Sequence, residues 1–101
     1  MIEVWINKIS QKENADIFKR IMKKYPWMNF RKPNEEKSPW HIVGTIPFLN
    51  GYDLTVNFWP HKAKAQIEGD NVIVGWDNIM DEICRQIDIS QDETFDDDIM
   101  E

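Results

Sequence analysis

Residues 54–69, Leu-Thr-Val-Asn-Phe-Trp-Pro-His-Lys-Ala-Lys-Ala-Gln-Ile-Glu-Gly, commit the chain to a sheet, because they read as two strands folded back on each other. Leu54, Val56 and Phe58 alternate with Thr55, Asn57 and Trp59, and beyond Pro60-His61 the residues Ala63, Ala65 and Ile67 alternate with Lys62, Lys64, Gln66 and Glu68. A period of two puts the first set on one face and the second on the other, so one face is expected to be apolar and the other wet. Pro60 presets the backbone for a turn and has no N–H to give a ladder, which predicts a reversal at Pro60-His61 with His61 at an exposed tip.

The flanking chain supplies further strands and two helices. Trp40, Ile42, Gly44, Ile46 and Phe48 alternate with His41, Val43, Thr45 and Pro47, and Asn50-Gly51 then offers two residues that accept positive φ, a strong hairpin signal. Three antiparallel strands are thus expected over 40–48, 53–59 and 62–68. Ile2, Val4 and Ile6 alternate with Glu3, Trp5 and Asn7, which predicts a first strand ending near Lys8-Ile9. Ser10 with Glu13 three residues on is a capping-box pattern, and Ile17, Phe18, Ile21, Met22 and Tyr25 recur at helical spacing until Pro26. A second helix is marked by Trp76, Ile79, Met80, Ile83, Cys84 and Ile87. Cys84 is expected to be a small buried hydrophobe on that apolar stripe. Residues 72–75, Val-Ile-Val-Gly, fit either a short extended piece or a lead into that helix. The fold class that follows is α+β, one domain over residues 1–88 in the order β-α-β-β-β-α, with an antiparallel sheet and both helices on one of its faces. Residues 31–39 hold two prolines and no apolar residue, which predicts a surface loop, and residues 89–101 hold six acids, which predicts a mobile acidic tail.

A chain of 101 residues is long enough for one modest core and too short for two. Its single cysteine excludes an internal disulfide, and its first residues carry neither a signal peptide nor a membrane span, so a cytoplasmic protein with no membrane contact is expected. The charge is divided along the chain. Residues 1–64 hold 11 basic and 6 acidic side chains, whereas residues 65–101 hold 1 basic and 12 acidic. Opposite fields attract opposite partners: the front is suited to phosphate or acidic protein, the back to a basic surface.

Catalysis finds little to stand on. His41 and His61 are the only histidines, no metal-ligand spacing or phosphate loop occurs, and the four glycines are scattered. No cofactor and no enzymatic activity are expected. Trp59, with Lys62 and Lys64 alternating outward beside it and His61 at the turn, is a candidate for stacking a base while ammonium groups meet phosphate. Asp77, Asp81 and Glu82 on the second helix, Asp88 at its end, and Asp92, Glu93, Asp96, Asp97 and Asp98 beyond it are candidates for meeting a basic protein surface.

The order helix, three antiparallel strands, helix resembles that of the double-stranded-RNA-binding domain, a resemblance that covers most of the chain but carries no motif. It implies phosphate contacts from lysines at the start of the last helix, where this chain has Gly75-Trp76-Asp77-Asn78-Ile79-Met80-Asp81-Glu82. Phe95-Asp96-Asp97-Asp98-Ile99 is similar to the acidic tip of bacterial single-stranded-DNA-binding proteins, which implies docking in basic pockets of replication and repair enzymes. This chain continues with Met100-Glu101 where that family ends in Pro-Phe.

Two functional expectations follow. The first is a non-enzymatic inhibitor of the kind bacteriophages encode, anti-CRISPR-like in being DNA-mimic-like, whose acids occupy a basic nucleic-acid site on a host nuclease or helicase. The second is a single-strand nucleic-acid-binding accessory protein that uses the Trp59 face and folds its acidic tail over it when empty. Residues 1–87 carry a net charge of only +1, weak for holding a polyanion, which favours the first.

Overall fold

A computed structural model of the chain describes residues 6–32 and 40–91. Helix α1 spans Lys12–Lys24, strands β1 to β4 span Ile42–Pro47, Asp53–Trp59, Lys64–Ile67 and Val72–Val74, and helix α2 spans Trp76–Ser90. Three-residue 3₁₀ turns at Pro26–Met28 and Pro60–Lys62 follow α1 and β2. The strands form one antiparallel sheet in the order β1-β2-β3-β4, so each neighbour in sequence is a neighbour in space. The α+β class and the helix-backed antiparallel sheet are as the periodicities require.

The three central strands stand where alternation put them. Ile42 opposes Phe58, Gly44 opposes Val56 and Ile46 opposes Leu54, and Val56 and Phe58 in turn oppose Ile67 and Ala65. All but Gly44 belong to the buried apolar cluster, together with Phe18 and Ile21 of α1 and Ile79 and Ile83 of α2. Both helices therefore cover this one face. The reversal at Asn50-Gly51 is present: Gly51 has φ +95°, its N–H donates to the Phe48 carbonyl at 3.0 Å, and the Phe48 N–H donates to the Tyr52 carbonyl at 2.8 Å.

Four local expectations are corrected. The fourth strand of the sheet is Val72–Val74, paired with β3, whereas the N-terminal strand expected over residues 2–9 lies outside the described residues up to position 5 and is absent from the remainder. There Ile6 is helical and the Ile9 N–H donates to its carbonyl at 3.0 Å, so residues 6–9 turn instead of extending. The capping box does not form. Gln11 is the N-cap of α1 and no side chain caps it, because the Gln11 amide oxygen instead accepts from Asn14 at 2.8 Å. Ala63, assigned to a strand, ends the 3₁₀ turn in the left-handed region with φ 52°, and β3 starts one residue later. Cys84 is exposed, because Ile83 faces the core and a residue 100° further round the helix does not. The loop expected over 31–39 is described only at Arg31 and Lys32, and the tail only up to Gln91; α2 itself continues through Ile89 and Ser90.

The core is centred on Phe18, fully buried, whose ring meets Phe30 edge-on at 5.5 Å, Phe58 at 5.2 Å and Trp76 at 6.3 Å. Gly44 keeps β1 open to this cluster, since a Cβ there would stand 3.0 Å from the Met28 methyl and 3.2 Å from the Phe30 ring. Phe18→Ala should destabilise the domain by about 3–5 kcal/mol in a denaturant titration, and Phe18→Leu by clearly less, because only the first leaves a ring-sized cavity.

Candidate functional site

Two surfaces carry the residues singled out by sequence, and they lie on opposite sides of the domain. The first is the outer face of α2. At 3.6 residues per turn Asp77, Asp81 and Asp88 fall within one narrow stripe, opposite the stripe of Ile79 and Ile83 that packs on the sheet. All three are exposed, and none has an ion-pair partner among the described residues. The stripe is about 16 Å long from the helical rise alone.

Glu82 is placed differently. Arg85 donates to its two carboxylate oxygens at 3.2 and 2.8 Å, and Gln86 donates at 2.8 Å. These hydrogen bonds, that of Arg85 first, hold the Glu82 carboxyl below its ordinary value, so its charge is already answered within the helix. Glu82 instead forms one wall of a shallow concavity of about 460 Å³ with Asp70, Asn71 and Ile73. Asp70 extends the acidic surface and escaped sequence reasoning, because it lies twelve residues before Glu82 in a turn and no spacing rule links the two. Asp92, Glu93, Asp96, Asp97 and Asp98 lie outside the described residues.

The second surface is the sheet face away from the helices. It is less wet than expected: Thr55, Asn57 and Trp59 are half-buried. Trp59 stacks on His41 with ring centroids 4.9 Å apart and planes 11° apart, and the His41 Nε2 lies 2.8 Å from the Asn57 side-chain oxygen. Phe30 packs on Phe18 and Phe58, in the core, while Trp27 is 44% exposed. Trp59 and Lys64 are register partners and so do stand side by side, and Lys62 is exposed in the adjoining turn. His41 was not foreseen as the partner of Trp59. The signal was available only once the register was known, since Ile42 opposite Phe58 brings position 41 opposite 59.

His61 departs from this group. Its carbonyl accepts from Asn14 of α1 at 3.2 Å, its ring lies 5.4 Å from that of Trp40, and its Nδ1 is sealed from solvent with no hydrogen-bond partner among the described residues. The turn is folded back on α1, which is why His61 is half-buried instead of exposed at a tip. Burial, reinforced by Lys62 and Lys64, lowers its pKa from the ordinary 6.5.

Among the described residues no group of three His, Cys, Asp or Glu side chains is placed to hold a metal ion, and no helix is long and apolar enough to cross a membrane. Compared with protein-family models, curated proteins and solved structures, the chain matches none.

His61 generates a pH dependence of stability whose sign is fixed. Above about pH 6.5 the ring is neutral in folded and unfolded chains alike. As the pH falls through that value the unfolded chain takes up the proton first, so stability declines until the folded ring is protonated as well. Thermal midpoints at about pH 7.5 and 5.5 should therefore fall further for the wild type than for His61→Gln.

Proposed function

We propose that this chain is a non-enzymatic binding protein whose acidic α2 face docks on a basic, nucleic-acid-binding site of another protein and blocks it. The observation that carries this reading is the exposed line of Asp77, Asp81 and Asp88, held on one side of a helix whose other side is fixed in the core. Carboxylates one turn apart are about 6 Å from each other, and a rigid row of such charges presents to a basic groove what a phosphate backbone presents. The row is preorganised, which lowers the ordering cost of docking. Asp70 at the rim adds to the same field, and Glu82, engaged by Arg85, adds little. The acids of residues 92–101 are of the same sign and extend the candidate surface. A host nuclease or helicase is the class of target, a phage-encoded inhibitor the class of protein, and the cytoplasm the location that fits both.

A second reading rests on Trp59 beside Lys64. One face of the indole is already taken by His41, which leaves the other face and the ammonium group to meet a single strand.

Capture from a nuclease-treated lysate separates the two. The wild-type chain should retain a protein partner after nuclease treatment, and Asp77→Asn with Asp81→Asn and Asp88→Asn together should lose it, whereas Lys62→Ala with Lys64→Ala should not. Single substitutions are too small to read, since an exposed ion pair contributes only about 0.2–1 kcal/mol. Tight binding to labelled single-stranded DNA that Trp59→Ala and Lys64→Ala weaken, with no change in the triple Asp variant, overturns the acidic-face reading in favour of the second.

A further inference from the structure

Among the described residues, the outer edge of β1 is covered at its Val43 end and open at Thr45. Arg31 and Val43 exchange two backbone hydrogen bonds of 2.9 and 2.8 Å, and the segment then leaves the sheet because Asn29, two residues earlier, is left-handed with φ 56°. In an antiparallel ladder, alternate residues turn their polar groups to opposite sides, so Thr45 points its N–H and C=O outward as Val43 does. No partner for them exists among the described residues. Pro47 follows with no N–H at all. At this gap lies a concavity of about 420 Å³ whose lining includes Trp27, Arg31, Thr45, Pro47 and Asp53. The Trp27 ring leans edge-on against Tyr25 at 5.7 Å and is 44% exposed, and the Arg31 guanidinium has no ion-pair partner among the described residues.

What fills it follows from where α2 ends. Ser90 is buried and its carbonyl accepts from the Leu49 N–H at 3.1 Å, which brings the chain out two residues past the end of β1. A segment continuing from Gln91 toward Arg31 would run antiparallel to β1. The four residues from Leu49 back to Thr45 span about 13 Å, so four or five residues beyond Ser90 suffice to reach Thr45. In an extended segment, that arithmetic would bring Phe95 to the level of Thr45 and Trp27, and Asp96, Asp97 and Asp98 to the level of Arg31.

We propose that residues 92–98 of this chain add to the edge of β1 at Thr45, with Phe95 against Trp27 and the three aspartates toward Arg31. The mode is strand addition, in which main-chain hydrogen bonds supply affinity and flanking pockets supply register. Asp53, opposite Pro47 in the ladder, repels the acids from the far wall and so favours the Arg31 side. On the reading that the tail acids also serve the basic partner, docking withholds them, and the partner must displace the tail to reach them.

Hydrogen exchange of the full chain followed by NMR tests this without any partner. The Thr45 N–H should exchange at least about tenfold more slowly than an unprotected amide. Arg31→Glu, Trp27→Ala and roughly 1 M salt, where charges are screened beyond about 3 Å, should each restore fast exchange. Amides of the core strands report that the variants remain folded. Thr45 exchanging at the unprotected rate in the wild type, or protection untouched by both substitutions, overturns the proposal. Protection that grows with protein concentration overturns it too, by assigning the added strand to a second copy. Because the readout needs no target, its failure leaves the acidic-face reading standing, and failure to capture a target leaves the docked tail standing.

Discussion

One turn of α1 holds the layers together. Phe18 touches Phe30, Phe58 and Trp76, which come from the segment after α1, from β2 and from the first residue of α2. Asn14, one turn earlier on the same face, adds the polar counterpart: its side-chain oxygen accepts from the Trp76 indole at 2.9 Å and its nitrogen donates to the His61 carbonyl. A buried aromatic contact sets distance, and a hydrogen bond with fixed donor and acceptor sets orientation. Together they aim the start of α2, and with it the direction in which Asp77 and Asp81 point. The acidic face is thus a consequence of packing as much as of composition.

What was legible in the sequence is what depends on local period. Leu54, Val56 and Phe58 are buried because alternation over six residues leaves a strand no other way to hide three large side chains. Helix α1 ends at Lys24 because Pro26 cannot continue it. The failures share a different cause. Val72-Ile73-Val74 is too short to carry a period, and pairing with β3 decided it. Ser10 and Glu13 have the spacing of a capping box, but Asn14 draws Gln11 into a competing side-chain bond and the helix starts later. His61 sits at a reversal, as Pro60 indicated, yet its environment is made by Asn14 and Trp40, which no local rule connects to it.

The same division runs through the candidate surfaces. Asp77, Asp81 and Asp88 were recoverable from helical spacing, and so was the pairing of Glu82 with Arg85 three residues on, once both are placed on one helix. The His41 stack on Trp59 needed the register of β1 on β2. The gap beside Thr45 needed more, namely the left-handed Asn29 that peels the chain from β1 and leaves Trp27 and Arg31 as its rim. Contacts of that kind join segments of different period, and only a folded chain brings them together.

A two-layer domain of this size has one sheet face covered by helices and one that is not, and here the two outer surfaces differ in chemistry. The helix side presents carboxylates on a fixed rod, while the open sheet side presents Trp59, Lys64 and the half-exposed Val72 and Val74. A flat partner meets only one of them. Apolar residues of β4 left open at a sheet edge are a hazard for edge-to-edge association, and a strand of three residues, with the Val74 carbonyl capped by Asn78 at 2.9 Å, offers little ladder to extend. Among the described residues the edge of β1 has no such guard at Thr45, where a concavity, an exposed indole and the Arg31 guanidinium meet. Of the two edges, β1 is therefore the one with backbone groups left to receive a strand, at Thr45 beside the Arg31 guanidinium.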